Sequence, residues 1–76
     1  MTDVLFFGQL TDLVGTSQLG MEEVEDTDTL VRLLKEKFPA LANAKYMLAL
    51  DNKMVTANTK IPSGAKVALM PPFSGG

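Results

Sequence analysis

The sequence predicts an α+β domain in which a mixed sheet of four to five strands packs on one main helix. Three observations carry that prediction. Leu30, Leu33, Leu34 and Phe38 fall at i, i+3, i+4 and i+8, which is one face of an amphipathic helix. A compact apolar run, Val4-Leu5-Phe6-Phe7, opens the chain and is closed by Gly8, as a strand would be. Beyond the helix, residues 46–50 and 66–70 read as further strands set between turn residues. Two hairpin-like units thus flank one helix, and their sheet has one face to bury against it.

In the first strand, alternation puts Val4 and Phe6 on one face and Leu5 and Phe7 on the other. Both faces are apolar, so the strand is either covered on both sides or keeps one face for a partner. Residues 9–14 form a helical turn, with Leu10, Leu13 and Val14 at helical spacing and Gly15 as its stop. Residues 17–25 read as a second strand, in which Leu19 and Met21 alternate and Val24 breaks the phase. The main helix is expected at about residues 28–38. Thr27 or Asp28 caps it, Asp26 and Asp28 suit the dipole at its start, and Lys35 and Lys37 suit its end. Pro39 stops it.

A loop at Ala42-Asn43-Ala44 leads to the third strand, residues 46–50. Asp51-Asn52-Lys53 reads as a tight turn, because Asp and Asn tolerate the left-handed conformation, and Met54-Val55 begins a short partner strand. Ile61-Pro62-Ser63-Gly64 is another turn, before the last strand at residues 66–70. No repeat, low-complexity segment or linker divides the 76 residues, which make one domain. Strand, short helix, strand, long helix and then strands is the order of the β-grasp, or ubiquitin-like, fold. The domain is expected to span residues 1–70, with residues 71–76 as a projecting tail.

Composition narrows the function classes. There is no cysteine, which removes disulfides, thiolate nucleophiles and cysteine metal sites together. There is no histidine either, so the usual general base and zinc ligand are missing, and catalysis by the chain alone is not expected. A net charge of −2 and a single arginine, Arg32, argue against nucleic acid, which selects clustered Lys and Arg. No apolar stretch approaches the roughly 20 residues needed to span a bilayer, and Met1-Thr2-Asp3 carries no positively charged leader. A cytoplasmic protein is expected, bound to no metal and no membrane. The five methionines read mainly as gap-fillers in the core, and the acidic stretch from Glu22 to Asp28 as a solvated face.

The most informative residues are the last six, Pro71-Pro72-Phe73-Ser74-Gly75-Gly76. Consecutive prolines lack the donor that a sheet ladder needs, so the sheet must stop near Met70. Six residues reach at most about 20 Å when extended. Pro71 and Pro72 stiffen the base of such an arm, and Gly75 and Gly76 keep its tip thin. A terminal carboxylate is a poor electrophile until activated, for instance as a mixed anhydride with AMP. Only a chain without Cβ threads a narrow channel to present its last carbon to phosphate or sulfur. Gly76 is therefore the candidate reacting residue and Gly75 its thin approach. Phe73 and Phe7 are candidate partner contacts, since an aromatic on an arm or an uncovered strand face fits a pocket.

The opening Val4-Leu5-Phe6-Phe7-Gly8-Gln9-Leu10 with Leu13-Val14-Gly15 resembles the start of the small subunit family of molybdopterin synthase. So do the helix from Thr29-Leu30 through Leu33-Leu34 to Phe38-Pro39 and the strand ending Ala49-Leu50-Asp51-Asn52. Val67-Ala68-Leu69-Met70-Pro71-Pro72 ahead of the Gly-Gly end completes a likeness that covers nearly the whole chain. The resemblance implies a non-catalytic sulfur carrier. A ubiquitin-activating-type enzyme, using ATP, would adenylate Gly76, and sulfur would then be installed there as a thiocarboxylate. The tail, with Pro71, Pro72, Phe73 and Ser74 among its partner contacts, would enter the large subunit. There two transfers turn cyclic pyranopterin monophosphate into a dithiolene. The family assembles as a heterotetramer, with two small subunits at opposite ends of a large-subunit dimer. Ser63-Gly64-Ala65-Lys66 departs from the Asp-Gly-Asp often found before the family's last strand. The sulfur carriers of thiamine biosynthesis share the fold and the Gly-Gly end but lack the Pro-Pro base. The same fold and ending would also suit a ubiquitin-like modifier, and the fold by itself a plain interaction module.

Overall fold

The computed structural model describes residues 1–71; residues 72–76 lie outside it. Strand β1, Thr2–Phe6, runs into a short helix, α1, Leu10–Val14, which Gly15 ends in the left-handed conformation at φ 81. Strand β2 is Gln18–Met21, shorter than the stretch its sequence suggested. Helix α2 is Thr27–Lys37, and strands β3, Met47–Leu50, β4, Lys53–Val55, and β5, Lys66–Met70, follow. The five strands form one sheet in the order β2-β1-β5-β3-β4. β1 and β5 pair in parallel at its centre, and every other pair is antiparallel.

The register explains the core. Val4 lies beside Val67, which lies beside Leu50, and Phe6 lies beside Leu69, which lies beside Leu48. These residues share one face of the sheet, because neighbours across a ladder point the same way. Val4, Phe6, Val67 and Leu69 are buried there with Leu30 and Leu34 of α2 in a single cluster. Phe38 closes the end of that cluster edge-on to Phe6, with ring centroids 6.2 Å apart. The helical periodicity and the strand alternation therefore meet in the same core.

Three local expectations are corrected. Asp26, rather than Thr27 or Asp28, caps α2, since its extended backbone lets the side chain accept from the Thr29 amide at 2.9 Å. Thr27 turns instead to the loop before β5: its hydroxyl donates to Asn58 and accepts from the Thr59 amide. The segment after α2 is not an open loop, because Pro39–Asn43 winds as a 3-10 turn that buries Leu41. Pro39 does end α2, and its fixed φ also suits the first position of the next turn. The β3–β4 connection is tighter than three residues. Asp51 and Asn52 alone form it, at φ 47 and 71, the pair of left-handed residues that a two-residue hairpin demands.

The departure at Ser63-Gly64-Ala65-Lys66 leaves its turn intact. Gly64 sits at φ 79 and the Ala65 amide donates to the Pro62 carbonyl at 3.1 Å. The acidic stretch is put to structural use. Glu23 accepts from the N-terminal ammonium and from the Ser63 hydroxyl, while Asp26 holds both Thr29 and Asn58. No helix among the described residues is long and apolar enough to cross a membrane.

Candidate functional site

The sheet face turned away from α2 carries the second residue set of each strand. Leu5 lies beside Ala68, which lies beside Ala49, which lies beside Met54. One step towards the C-terminal end of β5, Met70 lies beside Met47. Phe7 extends the β1–β5 pairing by one bond, its amide donating to the Leu69 carbonyl at 3.0 Å. It therefore stands on the same face as Leu5, as alternation requires. Asp3 and Lys66 pair at one end of this face, and the end around Phe7 is apolar but not covered: Phe7 is 47% exposed, Met54 48% and Met47 41%.

Phe7, Gly8, Met47, Met54, Met70 and Pro71 enclose an open groove of about 470 Å³ on this face. Beside it, Ala49 and Ala68 bring only methyl groups to the middle of the sheet. Its end wall is Pro71, whose ring lies over Gly8. A Cβ on Gly8 would stand 2.6 Å from Pro71 Cγ, so glycine's bare Cα is what admits the ring so close. α1 holds this corner in place, as the Thr11 hydroxyl and amide both donate to the Gly8 carbonyl. The groove thus ends where the chain leaves β5 towards Gly76.

Of the residues singled out from sequence, Phe7 and Pro71 are brought together at this groove. Pro72, Phe73, Ser74, Gly75 and Gly76 fall outside the described residues. The methionines are corrected: none belongs to the buried core, and three of the five line the groove. Alternation along β3 and β4 is legible in the sequence, but it names no face. Which face that alternation met depended on pairing with β5, and the pairing is tertiary information. The groups with displaced pKa values lie elsewhere. Hydrogen bonding by the N-terminal ammonium and then Ser63 holds Glu23 below the usual carboxylate range. Thr29, and after it Asn58, do the same for Asp26, while burial pushes the Tyr46 phenol up. None of the three lines the groove, which offers apolar contact rather than proton transfer.

The fold is a β-grasp domain, and an uncovered apolar groove lies beside the outgoing end of its last strand. The chain belongs to the ThiS family, whose model matches residues 4–76. It is 35% identical to the molybdopterin synthase sulfur carrier subunit of Caenorhabditis briggsae, over 96% of this chain and 94% of that protein. It is 30% identical to the protein of the same name from Haemophilus influenzae, over the whole of both chains. Among solved structures it is similar to a chain in the complex of subunits 1 and 2 of molybdopterin-converting factor from Helicobacter pylori. That match has 25% identity and a TM-score of 0.75, over 99% of this chain and 97% of that one.

Proposed function

We propose that the chain is the sulfur-carrier subunit of a molybdopterin synthase. One observation carries the reading: an uncovered apolar groove ends at Pro71, so a partner docked on it stands beside the segment that leads to Gly76. Similarity over nearly the full chain to two proteins named for that function supports it, as does a structural relative found in complex with its second subunit.

On this reading the chain supplies a carboxylate and a handle, and its partners supply the catalysis. A ubiquitin-activating-type enzyme transfers AMP from ATP to the Gly76 carboxylate, releasing pyrophosphate. A sulfur donor then displaces AMP at the carbonyl carbon and leaves a thiocarboxylate. The large subunit binds the groove through Phe7 and its neighbours and takes the tail, with Pro72, Phe73 and Ser74 along its entrance. The thiocarboxylate sulfur attacks a carbon of cyclic pyranopterin monophosphate and displaces the oxygen substituent there, and hydrolysis of the resulting thioester leaves the sulfur on the pterin and returns the Gly76 carboxylate. Two such cycles complete the dithiolene, in a heterotetramer with a small subunit at each end of a large-subunit dimer.

Removal of Gly76 tests the reading. The truncated chain is expected to melt as the full chain does, because the core cluster ends at Leu69. It is expected to give no dithiolene when reconstituted with the large subunit, the activating enzyme, ATP and a sulfur donor. Product formation by the truncated chain at the full chain's rate would overturn the proposal.

A further inference from the structure

We infer that Met47, Met54 and Met70 form a reversible oxidation site, through which a hydroperoxide uncouples the carrier from its large subunit. The inference rests on the proposed docking function and adds a regulation of that same face.

Three thioethers converge on one groove. Met47 and Met70 are direct neighbours across β3 and β5, and Met54 stands opposite Ala49, two residues along β3 from Met47 on the same face. With Phe7 and Pro71 they supply every side chain of the lining beyond glycine. Met47 and Met54 are 41% and 48% exposed, so a small oxidant reaches these side chains in the free chain. Met21, by contrast, is packed against the core. A flexible thioether suits an adaptable apolar surface, and it is also the apolar side chain that an oxidant converts to a polar one. Phe or Leu at these positions would keep the surface apolar and would not respond.

The chemistry balances without further parts. The thioether sulfur attacks the distal oxygen of a hydroperoxide, the O–O bond breaks, and the sulfur gains one S–O bond. The sulfur is oxidised by two electrons, and the peroxide is reduced to water or an alcohol. The sulfoxide is a strong hydrogen-bond acceptor. Seated in an apolar interface it has no partner, and a polar group buried without one weakens association by about tenfold or more. Methionine sulfoxide reductases reverse the change, one for each epimer. A docked carrier is shielded, so the switch acts on free carrier.

The test treats the full chain with limiting hydrogen peroxide, maps sulfoxides by peptide mass, and titrates the product against the large subunit. Met47 and Met54 are expected to oxidise before Met21, with affinity falling about tenfold or more and returning after treatment with both reductases. A variant carrying Met47→Leu, Met54→Leu and Met70→Leu keeps Met1 and Met21 and is near-isosteric at the groove. Its affinity is measured before treatment, and that starting value is expected to be unchanged by peroxide. Prior complex formation is expected to slow oxidation of Met47 and Met54 while leaving Met1 unprotected. Unchanged affinity of the oxidised chain, an equal loss by the leucine variant, or no protection in the complex overturns the inference alone. An untreated chain that fails to bind the large subunit overturns the proposed function together with it.

Discussion

Phe7 is 47% exposed in the free chain, so a partner that covers it has about half of the side chain left to bury. A phenylalanine buries roughly 200 Å² when fully covered, which leaves roughly 90 Å² for the interface. At about 25 cal/mol per Å² that area stabilises the complex by about 2 kcal/mol, or about 30-fold in Kd. Phe7→Ala removes most of it. The covered half of the ring contributes to the fold as well, so the variant also loses about 1–2 kcal/mol of stability. Against the roughly 4–11 kcal/mol expected for a domain of this size, it remains folded at 25 °C. Calorimetric titration of the large subunit with the variant is expected to give a Kd about 30-fold weaker, with an unfolding curve that is shifted but still cooperative. A folded variant that binds within twofold of the parent chain would refute the assignment of the outer sheet face as the docking surface.

Three further outcomes follow from the core and the cap. Leu30 is fully buried at the centre of the cluster, so Leu30→Ala is expected to cost about 2–5 kcal/mol in urea unfolding without a new contact to compensate. Thr2 is buried with its hydroxyl unpartnered among the described residues, and Thr2→Val is expected to raise stability by about 1 kcal/mol, read as a higher urea midpoint at unchanged m-value. Asp26 has its carboxyl pKa lowered from 3.8 by hydrogen bonds that the folded chain alone provides. The ionised form therefore stabilises the fold above pH 3.8, and that contribution disappears as pH falls through the lower, folded value. Thermal melts against pH should show the parent chain's advantage over Asp26→Asn at neutral pH shrinking below about pH 4, and an advantage that is flat with pH would contradict the cap.

The parts of the fold that were legible in the sequence were those set by short-range periodicity. Leu30, Leu33, Leu34 and Phe38 report one helical face wherever the helix packs, and Val4 and Phe6 report one face of a strand. The cap moved from Thr27 or Asp28 to Asp26 for a reason no local pattern holds. Asn58, more than 30 positions away, accepts from both the Thr27 hydroxyl and the Asp28 amide, and so leaves Asp26 as the cap. Pro39 was read only as a stop, although the same fixed φ that ends one helix begins the 3-10 turn. The candidate site was half legible. Phe7 and Pro71 carried signals of their own, an extra apolar face and a residue that cannot extend a ladder. Met47, Met54 and Met70 did not. A methionine fits a core gap or an open groove equally well, and only the β3–β5 register decides between them.

The central claim is that Gly76 carries sulfur. The most direct test is an intact mass of the full chain after incubation with ATP, a sulfur donor and the activating enzyme, with the change located by fragmentation. The expected result is the mass gain of one oxygen exchanged for sulfur, confined to the C-terminal peptide that ends in Gly76. An unchanged mass, with the same enzyme loading a control carrier in parallel, would contradict it.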